Sequence, residues 1–413
     1  MVLDNQKNQT MNRILSQKYQ ILADQAIYSG TSFLMTMLMA HQLETITFGY
    51  YSAFVLTLYL AVSAISAWTL QVFQVANDKK PAYVSYIFLL QLVIMLMAII
   101  LIGLAGQLYG FSYSADWYFF GLGFIFYDFG RKLILSLQKT AEALLLDILI
   151  SVLLIVAGLF LIFNELKDIS DMFRIFAIVY GIAAIIIVAV IRPFQIRVSD
   201  FYHYTKRQIQ AGRWLFFTAI GQWWAGNLFI VSSGIYLGAA ALGALRLSQS
   251  LFGILNILLQ AYENYVLPQT AAHLNNNLES GISYLKRTNQ RLGWVFLPVL
   301  LTIFIFAKPV ITLAGGSQYT PYAYVLQGWS VVYVFIYLSQ PIRFAIRSLH
   351  LNRHFFVGYM LSLGFAWLSA SWLLSGFGLY GVFTGLIISQ VILMIYWIYI
   401  LQQKNLNVWK SFI

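Results

Sequence analysis

Residues 82–105 read AYVSYIFLLQLVIMLMAIILIGLA, a run without a single charged side chain that begins directly after Lys79-Lys80-Pro81. A helix of about 20 apolar residues crosses ~30 Å of hydrocarbon, and this run meets that requirement. Similar stretches flank it near 21–42, 47–75, 117–137, 142–163, 172–191, 214–236, 243–266, 292–313, 322–345, 354–374 and 378–402. Only 9% of residues are charged and 60% are hydrophobic, whereas soluble domains carry roughly 25% charge. The pattern predicts an all-α polytopic membrane protein with about twelve transmembrane helices and almost no mass outside the bilayer.

Charge then orients the spans. Of the 25 Lys and Arg residues, 21 fall in alternate gaps, while Lys167, Arg174 and Lys308 fall in the others and Arg246 lies within a span. The positive-inside rule therefore predicts that both termini are cytosolic. The net charge of +11 reads as this topological bias, and no nucleic-acid partner is expected. The first apolar run follows some twenty polar residues and is too long for a signal-peptide core, so no cleavable leader is expected. Residues 11–25 read as a short surface helix. The absence of cysteine excludes disulfides, thiolate metal sites and cysteine nucleophiles.

The longest inner connection, 192–213, divides the spans six and six: a lobe over 1–191, a cytosolic amphipathic linker over 192–213 and a lobe over 214–413. Its Arg192, Arg197, Lys206, Arg207 and Arg213, interleaved with Phe201, Tyr202 and Tyr204, suit a segment lying on anionic headgroups. A second inner connection, 273–291, is polar and Asn-rich and reads as a mobile loop. The lobes echo each other. Ser29-Gly30-Thr31-Ser32-Phe33 leads through a turn to Phe48-Gly49-Tyr50-Tyr51-Ser52, and Ala225-Gly226-Asn227-Leu228-Phe229 leads to Gly243-Ala244-Leu245-Arg246-Leu247-Ser248. The Gly-to-Gly spacings are 19 and 17 residues. Two six-helix halves with both termini on one side form a parallel repeat about an axis along the membrane normal.

No enzyme constellation is present. There is no phosphate-binding Gly-rich loop, and His41, His203, His273, His350 and His354 form no two-His metal motif, so neither metal nor cofactor is expected. Outer loops of about ten residues or fewer lack the paired carboxylates of a glycan polymerase or glycosyltransferase, and Glu165, Asp168 and Asp171 read as a solvated turn. The informative residues are charges at bilayer depth, each costing at least ~2.5–3.5 kcal/mol unless it faces protein or water.

Asp24, six residues past Lys18, reads either as a carboxylate coupling H+ or Na+ or as an interfacial acid paired with a nearby Lys. Asp128, Arg131 and Lys132 share a helical face, and Asp147 follows on the next span. Lys132 and Asp147 reach equal depth if the turn centres near Lys139. An internal ion pair and a cationic cavity lined by Arg131 and Lys132 both remain open, and Asp128 and Asp147 join Asp24 as ion-coupling candidates. Arg246, one turn into the eighth span, either snorkels outward or points inward to hold an anionic group with its planar fork. Gln222, Asn227 and Gln249, with Ser232, Ser233, Gln260, Glu263 and Asn264, suit a hydrated inter-lobe face. Trp223-Trp224 suits either stacking on a sugar ring or packing.

The six-plus-six repeat, the paired Phe48-Gly49-Tyr50-Tyr51-Ser52 and Gly243-Ala244-Leu245-Arg246-Leu247-Ser248 openings, and the eighth-span run from Ser250-Leu251-Phe252-Gly253-Ile254 to Tyr265-Val266-Leu267-Pro268 resemble the multidrug/oligosaccharidyl-lipid/polysaccharide exporter superfamily. Within it the chain looks most like the polysaccharide-biosynthesis (O-antigen/oligosaccharide) flippases. The resemblance implies two MATE-like six-helix lobes in the bacterial inner membrane. It also implies alternating access and a lipid-diphosphate-linked oligosaccharide as cargo, held in a cationic cavity at positions such as Arg131, Lys132 and Arg246. Membrane lipid, the lipid-linked glycan, a polysaccharide polymerase and glycosyltransferases are the implied partners. The alternative is an ion-coupled multidrug exporter of the MATE type, with Asp24 carrying the proton or sodium. Four in-span acids against three bases do not decide between them.

Overall fold

The computed structural model describes residues 2–74, 76, 79–108, 113–164, 168–195 and 198–404. Glu165, Lys167, Arg197 and Lys410 lie outside the described residues, as do the side chains of Lys7, Arg13, Lys18, Asn264, Asn275 and Asn276. The described chain is helical throughout, with one 3-10 turn, Ser317–Tyr322, and no strand among the described residues. Its helices are α1 (Val2–Gln42), α2 (Thr45–Trp68), α3 (Leu70–Gln74), α4 (Pro81–Leu108), α5 (Ala115–Ser136), α6 (Thr140–Phe163) and α7 (Ile169–Ile191). They continue with α8 (Val198–Tyr236), α9 (Ala239–Leu251), α10 (Gly253–Asn276), α11 (Leu278–Ile305), α12 (Ala307–Gly315), α13 (Ala323–Ser348) and α14 (Asn352–Gln403). The stretch 11–25, expected as a separate surface helix, is continuous with α1.

Eight helices are long and apolar enough to cross a membrane, and the bent pair α9–α10 makes a ninth. Gly378, at φ +58° and ψ −136°, breaks α14 into two limbs, which adds a tenth traverse. The polar α1 and the charged α5 complete the twelve expected from sequence. Helices are the only open answer to hydrocarbon, because each closes its own backbone hydrogen bonds.

The chain divides into two compact units, one of 1–38 with Phe54–Ile220, the other of Met39–Ala53 with Gly221–Ile413. In the first unit α5 packs against α7 through an aromatic cluster: Phe120 stacks on Phe173 with ring centroids 4.4 Å apart, and Trp117 meets Phe173 edge-on at 4.6 Å. The segment 199–212 forms the first half of α8 and commits one face to protein. Tyr204, Gln208 and Gly212, spaced four apart, are buried, while Tyr202 and Lys206 are exposed. The Gln208 amide donates to the carbonyls of Trp68 and Thr69 (2.8 and 2.9 Å) and accepts from the Tyr83 hydroxyl (2.9 Å). It thereby satisfies the carbonyls freed where α2 gives way to α3, groups that helix ends otherwise leave orphaned.

In the second unit α13 is central, packed on α14, α11 and α10. The Trp329 indole donates to Leu245 O (3.2 Å), and Phe252 stacks on Tyr333 at 4.5 Å. The expected Asn-rich loop is instead two helices meeting at one residue. The Asn277 side chain accepts from Glu279 N (3.0 Å) and caps α11, which is the ordinary use of Asn at a helix start.

The two motif glycines that the repeat sets in register, Gly49 and Gly243, pack together in the second unit. A Cβ on Gly49 would lie 2.0 Å from Ala239 O, and one on Gly243 would lie 3.2 Å from Gly49 N. The other pair, Gly30 and Gly226, has nothing within 4 Å. Gly49→Ala is therefore expected to lose about 1–3 kcal/mol through overpacking against backbone, seen as a lower melting temperature in detergent. Gly226→Ala should hold or gain stability in the same measurement.

Candidate functional site

Three helices of the first unit converge on one guanidinium. α1 supplies Asp24, Gln25 and Tyr28, α5 supplies Tyr127, Asp128, Arg131 and Lys132, and α6 supplies Asp147. Arg131 Nη2 lies 2.6 Å from Asp24 Oδ2, and Arg131 Nε lies 2.6 Å from Asp147 Oδ2. Arg131 Nη2 also donates to Gln25 Oε1 at 3.1 Å, and the guanidinium rests 4.2 Å from the Tyr28 ring centroid. Side-chain exposure is 4% for Arg131, 1% for Asp24 and 0% for Asp147. The Tyr127 hydroxyl donates to Asp147 Oδ1 at 2.7 Å, and Tyr28 donates to Asp128 Oδ1 at 3.3 Å. Lys132 Nζ pairs with Asp128 Oδ2 at 2.6 Å and keeps 32% of its side chain exposed.

Arginine is the side chain for this position, because its fork serves two acceptors at once and it stays charged under burial. Asp24, Asp128 and Asp147 outnumber Arg131 and Lys132 by one carboxylate. Asp24 Oδ1 is buried without a hydrogen-bond partner. No group of three acidic or histidine side chains converges closely enough to hold a metal ion among the described residues.

The ion pair expected across the α5–α6 hairpin exists with a different cation. Lys132 turns to Asp128 on its own helix, and Arg131 reaches Asp147. The possible Lys18 partner of Asp24 lies outside the described residues. In the second unit Arg246 Nη1 donates to Gln249 Oε1 on α9, and both are half-buried. Asn227 turns its amide onto Trp223 O of its own helix at 2.9 Å, and Gln222 is half-buried on the same helix. Trp223 and Trp224 meet edge-on at 5.3 Å.

A second charged group lies in the second unit. Arg343 and Arg347 of α13 both reach Glu263 of α10, Arg343 at 3.4 Å and Arg347 in direct contact. Their four-residue spacing and the lone in-span Glu were the available signals.

The sequence profile described as "Polysaccharide biosynthesis protein" matches residues 39–324, well over half of the chain. The chain belongs to this polysaccharide-biosynthesis family. No curated protein sequence matches it. Solved structures share the fold of this family member at low identity. The lipid II flippase MurJ in an inward closed conformation gives a TM-score of 0.67 at 14% identity, covering 96% of this chain and 90% of that one. An inward-facing multidrug-resistance MATE transporter of the MOP superfamily gives 0.62 at 15%, covering 96% and 95%. A MOP-superfamily transporter from Pyrococcus furiosus, whose binding pocket is described as having reverse polarity, gives 0.58 at 14%, covering 95% and 96%. The polysaccharide-biosynthesis protein is therefore a multi-pass membrane protein, helical through its described residues, in a fold shared with a lipid II flippase and a MATE transporter.

Removing the guanidinium should expose its structural weight. Arg131→Ala strands two buried carboxylates and is expected to cost roughly 3–5 kcal/mol, read by thermal unfolding in detergent. Adding Asp24→Asn and Asp147→Asn to that variant should recover most of the loss.

Proposed function

We propose that this polysaccharide-biosynthesis protein is a non-enzymatic flippase that carries a lipid-diphosphate-linked oligosaccharide across the bacterial inner membrane by alternating access, with both termini cytosolic. The family match over 39–324 carries the reading. It is supported by the fold shared with a lipid II flippase. The lipid diphosphate would engage cationic and amide side chains such as Arg246 and Gln249, supported by Gln222 and Asn227. A surface-polysaccharide pathway supplies its partners, a polymerase and glycosyltransferases.

The Arg131 cluster suits coupling better than cargo recognition. Arg131 is neutralised on both sides and almost wholly buried, so it offers no surface to a diphosphate. The cluster sets three carboxyl groups against two cations, and Asp24 Oδ1 is the carboxyl oxygen without a hydrogen-bond partner. One charge moved across the membrane is worth ~2.3 kcal/mol per 100 mV, enough to bias a transport cycle.

The second reading, an ion-coupled multidrug exporter, draws on the same carboxylate excess and on the MATE neighbours. Burial of Asp24 and Asp147 weighs against their contacting a cationic drug. In vesicles loaded with a fluorescent lipid-diphosphate oligosaccharide, the protein should translocate cargo to the opposite leaflet, and Arg246→Ala should slow it about tenfold or more, as loss of one charge-assisted contact would. Asp24→Asn should remain folded and lose its response to an imposed proton gradient. Absence of cargo translocation, together with drug efflux that depends on Asp24, would replace the flippase with the exporter.

A further inference from the structure

In the first unit α4, α5 and α7 line an open groove of about 510 Å³, and none of the charged groups around Arg131 belongs to its lining. Matched positions on two helices make its floor. On α5 the lining residues Asp116 and Gly123 are seven residues apart, and on α7 Arg174 and Gly181 are also seven apart. Each helix thus presents a charge and, two turns on, a glycine to the same groove. The helices lie side by side in this register. Asp116 pairs with Arg174 at one end, and a Cβ added to Gly123 would lie 2.7 Å from Tyr180 Cβ. Gly181 faces open space, since a Cβ added there would meet nothing within 4 Å. Along α7 the groove runs from Arg174 to Ala184, about 15 Å at 1.5 Å per residue.

The charges at one end belong to the lining itself. Arg174 Nε and Nη2 donate to the two oxygens of Asp116, each at 3.1 Å, and Nη1 donates to Asp171 Oδ1 at 3.2 Å. Asp116 is held with 18% of its side chain exposed, whereas Asp171 keeps 38% and Arg174 59%. The Ser114 and Ser170 hydroxyls, 3.4 Å apart, tie together the starts of α5 and α7 beside this pair. Asp171, expected from sequence in a solvated turn, therefore stands at the head of an apolar groove. Two carboxylates on one guanidinium make this end acidic among the described residues, which disfavours a purely anionic headgroup. A primary ammonium suits Asp171, the more open of the two acids. A phosphate beside it suits the exposed side of Arg174, whose remaining N–H groups are free to donate. The groove complements an amphiphile that joins a hydrocarbon chain, a phosphate and a primary amine.

From this geometry we infer that the α4–α5–α7 groove is a binding site for phosphatidylethanolamine. One acyl chain lies over Gly123 and Gly181, the ammonium pairs with Asp171, and the phosphate meets Arg174. The site goes beyond the flippase reading and does not depend on it. Phosphatidylcholine offers the same chain and phosphate without an N–H donor. Phosphatidylglycerol offers a net negative head to an acidic end. Both are weaker occupants for these reasons.

The test uses the full-length protein, stripped of lipid in detergent and offered the three phospholipids with identical acyl chains. Bound lipid is counted by native mass spectrometry. Phosphatidylethanolamine should bind about fivefold more tightly than the other two, the worth of one partly exposed charge pair. Asp171→Asn, at an exposed position, should bring phosphatidylethanolamine to the level of phosphatidylcholine and leave phosphatidylcholine unchanged. Gly181→Leu carries a side chain into the open groove. It should weaken phosphatidylethanolamine about tenfold or more, since each excluded methylene is worth about fourfold, with an unchanged melting temperature in lipid-free detergent. The inference is overturned if the unaltered protein binds the three lipids equally or phosphatidylglycerol best. It is equally overturned if Gly181→Leu binds phosphatidylethanolamine as wild type does. A dimer of the lipid-free protein that dissociates in Gly181→Leu would seat a second copy of the chain on the groove and overturn it too. Cargo movement enters none of these readouts, so failure here leaves the flippase reading standing.

Discussion

Hydrocarbon offers an ionised side chain no water, and the first unit is organised around answering that demand at Arg131. Three helices that are distant in sequence must bring Asp24, Asp147 and the Tyr28 ring to one guanidinium, and they can do so only in one mutual register. A buried ion group of this kind is weak evidence for stability, since an apolar replacement often does as well. Its value lies in what it forbids. Sliding α1 against α5, or turning α6, would separate an ion pair in a medium where separation costs several kcal/mol.

The same constraint shows in how charge is paired within each unit. In the first, the cluster around Arg131 sets three acids against two cations, with Arg131, Asp24 and Asp147 almost wholly buried. In the second, Arg343 and Arg347 share one Glu263, and Arg287 and Arg291 stand exposed on α11.

The spans were legible because burial in lipid imposes a compositional signature that no tertiary contact can override. Gly49 and Gly243, matching positions in the sequence reading, pack together with no side chain at either. Partner choice was not legible. Hairpin arithmetic set Lys132 opposite Asp147, yet adjacent helical residues point 100° apart and the turn passes through Gln138 at φ +61°, so the register brings Arg131 there instead. Tyr28 and Tyr127 were invisible among 27 tyrosines, having no spacing signal of their own. Glu263 and its arginines lie eighty or more residues apart, beyond any periodicity. The 192–213 segment has a buried face that its composition did not mark: its aromatic and basic residues suit headgroups, and Tyr204 and Gln208, one turn apart, pack on the end of α2 and on α4.

The tip of the α1–α2 hairpin, Met39–Ala53, belongs to the second unit although both of its limbs belong to the first. The polypeptide therefore crosses between the units three times, near residues 38, 53 and 220. Covalent topology of this kind removes independence. Neither unit contains all of its own packing within one continuous stretch of chain. During synthesis the first unit can emerge complete while its hairpin tip waits for a docking surface made some two hundred residues later. A gene split near residue 200 would deliver two fragments, one of them carrying away the fifteen residues that finish the other.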